Sequence, residues 1–262
     1  MLVFPTNVKA TLKLLQSMEA PDFHLDAAVK LAQADPLIAA RLVAVANSAV
    51  FLHRNGRIEN VRTAVNLLGL KTVRALVASI VVRQICSAVA DPALRAQADR
   101  LWCHCAEVAA LANVIARRVA GIDADTAMFA GIVHEIGGFY RIYRADGGAE
   151  FTSGAPFATT ETTSLDLTRK VLEALLVPES IIAAVEALAD EVTAQPPVTL
   201  ADTLRLANAF AQTPSPMDTE IVADAVAEPA ARIDFAVDGQ SLQTVLAESA
   251  TEIGALKDAL VI

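Results

Sequence analysis

Leu101-Trp102-Cys103-His104-Cys105-Ala106-Glu107-Val108-Ala109-Ala110-Leu111-Ala112-Asn113-Val114-Ile115 contains neither proline nor glycine. Within it and just beyond, Leu101, Cys105, Val108, Ala112, Ile115 and Val119 recur at helical spacing and form one apolar stripe. Upstream, Asp91-Pro92 is a helix start: the carboxylate caps free amides, and the proline sits where no donor is needed. Downstream, Gly121 supplies a helix stop. The spacing therefore predicts a helical set that begins at Asp91 and contains a long helix, striped from Leu101 to Val119, ending at Gly121, in a chain whose other segments read the same way.

Asp35-Pro36 repeats the start signal, and Leu37, Ile38, Leu42, Val45, Ala46 and Val50 follow it at helical intervals. His53 to Arg57 reads as a turn. Val61, Val65 and Leu68 mark a short helix stopping near Gly69, and a further helix runs from about Lys71 to Ala88. Asp123 to Ile136 is the next helix. Gly137 to Ser164, rich in Gly, Thr and Ser, reads as a loop with at most short helical turns. Helices resume at Leu165–Leu176, Pro178–Glu191 and Leu200–Ala211. Gln212-Thr213-Pro214-Ser215-Pro216 is a linker-like break, and two or three helices close the chain over Asp218–Ile262. Strand signals are scarce. The fold class expected is all-α: a multi-helical bundle of two packed lobes, residues 1–90 and residues 91–262.

Composition agrees. Of the 262 residues, 54% are apolar, much of that alanine, and only 5% are aromatic. Alanine loses no side-chain entropy in a helix, and its small side chain lets helices approach closely. The longest stretches without Lys, Arg, Asp or Glu, Leu42–His53 and Leu206–Met217, fall short of the roughly 20 apolar residues that span a bilayer. No secretory signal is visible, so the expected location is the cytoplasm, without membrane insertion. The net charge of −9 opposes phosphate backbones and argues against nucleic acid as a partner. Three cysteines make no disulfide framework. Cys103 and Cys105 point about 200° apart on a helix and cannot close one metal site, so both are expected to be core thiols.

Two stretches resemble a known family. Asp35-Pro36-Leu37 through Ala46-Asn47-Ser48-Ala49, followed by Ala64-Val65-Asn66-Leu67-Leu68-Gly69, is similar to the N-terminal signature of HDOD domains. Leu101-Trp102-Cys103-His104 with Ala130-Gly131-Ile132-Val133-His134-Glu135-Ile136-Gly137 resembles the HD-related half of the same family. The resemblance implies an HD-domain-like helical bundle. HD hydrolases hold metal with a distal His, a His-Asp pair and a later Asp, and matching by motif gives His104, His134, Glu135 and Asp202 as the metal-site positions.

The departures from that pattern shape the functional expectation. Glu135 replaces the aspartate and carries its carboxylate one methylene further out, whereas metal–ligand distances tolerate only about 0.2 Å. Gly138 stands where active relatives often have lysine. The four histidines are His24, His53, His104 and His134, so none follows His134; Glu161, Asp166, Glu186 and Asp190 occupy the region where further ligands would come from. A binuclear centre is not expected; no cofactor is expected beyond room for a single weakly bound divalent cation. Each residue also has a structural alternative. Thr199-Leu200-Ala201-Asp202 is a capping box, His104 suits a hydrogen-bonded core histidine, and His134 and Glu135 suit capping between helices. Arg62, Lys71, Arg74 and Arg83 form a loose basic series suited to a solvated face. No Walker loop, GxGxxG or GxSxG motif is present.

By resemblance, the chain is expected to be a non-catalytic bacterial signalling module acting by protein–protein contact, with signalling proteins as partners and a two-component or cyclic-di-GMP-linked setting. A metal-dependent phosphohydrolase or phosphodiesterase using the four named residues is the alternative, and a nucleotide or small-molecule sensor a third. At 262 residues, no receiver or cyclase domain is expected beside the module.

Overall fold

The computed structural model describes residues 8–18, 20, 22–48, 51, 57–147, 164–189, 195–217 and 233–261. The turn at His53, most of the Gly147–Ser164 stretch, Glu161, Asp190 and the segment 218–232 lie outside them. The architecture is all-α. In chain order the helices are α1 (Val8–Ser17), α2 (Leu25–Ala34), α3 (Pro36–Ala46), α4 (Val61–Ser87), α5 (Pro92–Ile115), α6 (Ala124–Val133), α7 (Ile136–Ala145), α8 (Ser164–Ala174), α9 (Glu179–Glu186) and α10 (Leu200–Phe210). A two-residue hairpin, Ala236–Val237 with Gln240–Ser241, precedes two closing helices, Leu242–Glu248 and Ala250–Val261.

The stretch that opens α5 behaves as its sequence requires. Asp91 accepts from the Ala93 and Leu94 amides, Pro92 occupies the first turn, and the helix runs into a π-turn at Ala116–Ala120 that Gly121 ends with φ +65°. Side chains from Leu101 through Ile115 are buried on nearly every face, Cys103 excepted. That burial makes α5 the central rod, against which α6, α7, α10 and the C-terminal helix Ala250–Val261 pack. Helix α4 plays the equivalent part for α1, α2 and α3 and also contacts α6 and α7. Buried side chains from both parts of the chain form one continuous core.

Gly69 has φ +73° and ψ 167°, a break inside α4 that agrees with the expected stop. Around it, α4 is the one helix among the described residues long and apolar enough to cross a membrane, and 67% of its apolar window is buried within the protein. Two tethers tie segments distant in sequence, and a third is local. Arg41 on α3 donates to the carbonyls of Ala259 and Leu260 at the end of the C-terminal helix. Asp146 accepts from the Ala90 and Asp91 amides at 2.5 and 2.7 Å. Just past α3, Asn47 brackets Ile58 within the N-terminal part, accepting from its amide and donating to its carbonyl.

One expectation is corrected. Residues 137–145, read as the start of a loop, belong to helix α7, which begins at Ile136. Gly137 and Gly138 lower helix propensity, but each fills a place where a side chain would collide. A Cβ on Gly137 would lie 2.3 Å from Thr168 Oγ1 on α8, and one on Gly138 would lie 3.0 Å from Met217. The glycines mark close packing rather than a turn.

Candidate functional site

Close approach also brings the two histidines together. At Gly131 on α6, a Cβ would stand 2.5 Å from Ala109 Cα and 2.7 Å from Ala109 N, so the α5 and α6 backbones touch there. His104 lies five residues before that contact on α5, and His134 three residues after it, at the end of α6. The chain then breaks. Glu135 leaves the helical region with φ −108° and ψ 26°, and α7 begins. His134 and Glu135 therefore escape the roughly 100° separation of consecutive helical residues.

His104 and His134 are 3% and 5% exposed, and their Nε2 atoms are 3.3 Å apart. Each ring is fixed from behind: His104 Nδ1 meets the Thr213 carbonyl at 2.7 Å and His134 Nδ1 meets the Gly131 carbonyl at 2.8 Å. A carbonyl oxygen only accepts, so both Nδ1 atoms carry hydrogen. In the neutral rings both Nε2 atoms are then bare, and two lone pairs face each other across 3.3 Å. A proton or a cation between them relieves that opposition. Burial, and then the neighbouring His104, push the His134 imidazole down to about 3, so it is held neutral well below its ordinary range.

The donor set fits one divalent cation. With metal–nitrogen distances of about 2.0–2.1 Å, a 3.3 Å separation of donors corresponds to an N–metal–N angle of roughly 105–110°, close to tetrahedral. Nδ1–H donation to a backbone carbonyl is also the usual way a ligating imidazole is oriented. Glu135 completes the group: one ligand atom from each of His104, His134 and Glu135 lies within 4.8 Å of the others. Both Glu135 oxygens are 2.8 Å from the Ser215 hydroxyl, which has one proton to donate and also accepts from the Met217 amide at 3.0 Å.

Asp202, the fourth residue expected at the metal site, does not join this group among the described residues. It sits in the first turn of α10, where it forms the capping box with Thr199: Thr199 N–H and Oγ1–H donate to its Oδ2, and the Asp202 amide donates back to Thr199 Oγ1. Arg205 flanks its other oxygen at 3.5 Å. From Asp202 to Phe210 the helix rises about 12 Å. The segment that reaches the histidines follows that far end. Asp202→Ala is expected to cost about 1 kcal/mol of stability, measured by urea unfolding, and to leave cation affinity unchanged within two-fold.

That segment, Gln212 to Met217, reads as a linker in the sequence but is a clasp. Thr213 holds His104, Ser215 holds Glu135, and Met217 lies against Gly138. Glu107, one turn after His104 on α5, anchors it. Its Oε1 accepts from the Gln212 amide at 3.0 Å, and its Oε2 from the Thr213 amide, the Thr213 hydroxyl and Lys257 Nζ. Burial pushes the Glu107 carboxyl up; the bonds from Lys257, Thr213 and Gln212 outweigh it and hold the group below its ordinary 4.5. Sequence reasoning missed Glu107 and the clasp. The available signal was a glutamate inside an otherwise apolar stretch of the central helix.

The remaining candidates are engaged elsewhere. Glu186 makes a two-oxygen contact with Arg169, which also holds Glu173 and Glu179. In the basic series, Arg62 pairs with Asp26, Lys71 with Asp123 and Arg83 with Asp99, while Arg74 lies over the Phe129 ring. His24 stands exposed at the start of α2 and makes no capping bond there. Burial pushes the Cys86 thiol up to about 12, and burial followed by the Glu135 charge raises Cys105 well above its usual value. Neither is a nucleophile at neutral pH. Cys103 is only partly buried, not the core thiol expected.

The structure is an all-helical bundle with two convergent imidazoles at a helix joint, as the resemblance to an HD-related family implies. The HDOD domain family matches residues 4–176, and the chain belongs to that family. Among solved structures, it is similar to a protein from Shewanella amazonensis SB2B that bears the name of a metal-dependent phosphohydrolase, with TM-score 0.71 and 21% identity, over 99% of this chain and 93% of that one. An HDOD domain protein of unknown function from Geobacter sulfurreducens aligns with TM-score 0.61 and 18% identity, covering 99% and 92%. A Marinobacter aquaeolei VT8 protein named for signal transduction aligns with TM-score 0.53 and 16% identity, covering 99% of this chain and 58% of that one. At these identities the likeness is one of fold. No curated protein matches the sequence.

Proposed function

We propose that this chain is a regulatory module of bacterial signal transduction that works through contacts with other signalling proteins rather than by turnover. Membership of the HDOD family supports a regulatory role. The observation that carries the proposal is the composition of the site among the described residues: two imidazoles and one carboxylate, with that carboxylate bonded to Ser215. Hydrolysis of phosphate esters at a two-metal centre relies on a pair of ions about 3.5–4 Å apart, clamping the attacking and leaving oxygens. Three protein ligands suit one ion, and two ions need more.

In this reading the single cation is weakly held and orders the joint between α6 and α7. The module acts in the cytoplasm, in a two-component or cyclic-di-GMP-linked pathway. The burial of α4 within the core and the net charge of −9 fit a protein that neither inserts in membranes nor binds nucleic acid.

The test is turnover. Purified protein with Mn²⁺ or Zn²⁺ is incubated with cyclic dinucleotides and nucleoside phosphates, alongside His134→Ala. The expected result is no hydrolysis distinguishable between the two proteins. Multiple turnovers that vanish in His134→Ala would instead make the protein a metal-dependent phosphohydrolase.

A further inference from the structure

We infer that Glu107 is a positioning residue for the histidine pair, acting through Thr213, and that the C-terminal helix stabilises this arrangement through Lys257. The inference rests on the single-cation reading for its metal-binding arm only.

Glu107 is a charged group whose side chain is 8% exposed, placed in the buried stretch of the central helix and, among the described residues, bonded to none of the three potential ligands. A carboxylate so placed is costly unless its oxygens are satisfied. Here four donors satisfy them, and three belong to Gln212 and Thr213. The consequence is specific to Thr213: Glu107 fixes its amide at 3.2 Å and its hydroxyl at 2.7 Å, while its carbonyl accepts from His104 Nδ1 at 2.7 Å. With both ends of the residue held, the carbonyl has one orientation, and His104 is kept as the Nδ1–H tautomer with Nε2 directed at His134. Two residues on, Ser215 holds Glu135. The clasp thus orients two of the three potential ligands without supplying one.

Lys257 completes the arrangement. Its ammonium lies 2.8 Å from Glu107 Oε2 and comes from the Ala250–Val261 helix. It compensates the charge that lets Glu107 accept from four donors at once. Residues 212–217 and Lys257 lie beyond the region matched by the family.

Glu107→Gln removes the charge and turns an amide N–H₂ toward groups that are themselves donors. The experiment compares full-length wild type, Glu107→Gln and Lys257→Met in two ways. Long-range ¹H–¹⁵N correlation of the imidazoles in metal-free protein reports the His104 tautomer. Titration with Co²⁺, followed by visible absorption, reports affinity and geometry. The expected results are a pure Nδ1–H tautomer in wild type, a mixture in Glu107→Gln, and Co²⁺ affinity lowered 10–100-fold. Lys257→Met, whose lysine lies nearer the surface, shows the same changes more weakly and carries the test if Glu107→Gln does not fold. Folded variants with the wild-type tautomer and Co²⁺ affinity within two-fold of wild type would overturn the inference. Wild type without Co²⁺ absorption would sink the single-cation reading instead, and the tautomer comparison would still decide the role of Glu107.

Discussion

Gly131→Ala is expected to destabilise the protein by about 3 kcal/mol or more, among the largest effects of adding a single methyl group. The new Cβ would lie 2.5 Å from Ala109 Cα and 2.7 Å from Ala109 N. Both are backbone atoms of the central helix and cannot rotate aside. The helices would have to separate by about 1 Å to restore ordinary contact, loosening the flanking contacts of Val108, Ala112, Met128 and Ile132, all fully buried. The contrast with Gly137→Ala is instructive. There the first obstacle is a threonine hydroxyl at 2.3 Å and the nearest backbone atoms are at 3.1 Å, so part of the clash can be relieved by side-chain motion. In thermal unfolding, Gly131→Ala should lower the midpoint by roughly 6–12 °C, with Gly137→Ala showing the smaller loss. Because Gly131 also sets the distance between the imidazoles, its alanine variant should lose cation affinity in parallel. An unchanged midpoint would mean that α5 and α6 do not cross at this contact.

The second large effect is acid sensitivity in the metal-free protein. His134 is buried, lies beside His104, and is held at about 3 in the folded state, against an ordinary 6.5. Its folded value is depressed, so the stability linked to it is fully present above 6.5. It is lost as pH falls, because in the unfolded chain this imidazole binds a proton that it refuses in the folded state. One such proton corresponds to a slope approaching 1.4 kcal/mol per pH unit between about 6 and 3. Glu107 adds to the lower part of that window: its carboxyl, held below 4.5, also contributes stability that disappears as it protonates. Urea unfolding at stepped pH values checks this directly. His134→Gln, which keeps a polar side chain but cannot take up a proton, should flatten the curve between pH 6 and 5. A wild-type curve already flat over that range would contradict the depressed imidazole. A bound cation should shift the onset of the loss to lower pH, since it occupies the lone pairs that protons would take.

Much of the fold is legible because helical order is written locally. Asp91-Pro92, the apolar stripe from Leu101 to Val119, Gly121, and the Asp123 cap that accepts from the Thr126 amide all act within one or two turns of themselves. The candidate site is legible only in part. His104, His134 and Glu135 are proposed by motif, and the structure brings one potential ligand atom of each within 4.8 Å of the others. Asp202 is proposed by the same motif, yet the local rule, the capping box with Thr199, describes what its carboxylate does. Gly137 and Gly138 mislead for the opposite reason: local propensity argues for a loop, and tertiary contact with α8 and Met217 prevails. The clasp at Gln212–Met217 is hidden because it works through a backbone carbonyl and a serine hydroxyl, and such residues are common at any loop. Its buried anchor, Glu107, is 105 residues away in sequence from the amide it holds. Pairings at that separation leave no periodic trace.

Cation capacity separates the two functional readings: we propose that the facing imidazoles, with Glu135, hold one ion and not two. Native mass spectrometry of the full chain titrated with Zn²⁺ or Mn²⁺ counts ions per molecule, and anomalous diffraction from a crystal grown with the same metal locates them. The account predicts no more than one specific ion per chain, lying between His104 Nε2 and His134 Nε2 and lost in His134→Ala. Two well-occupied ions some 3.5–4 Å apart beside His134 would contradict it.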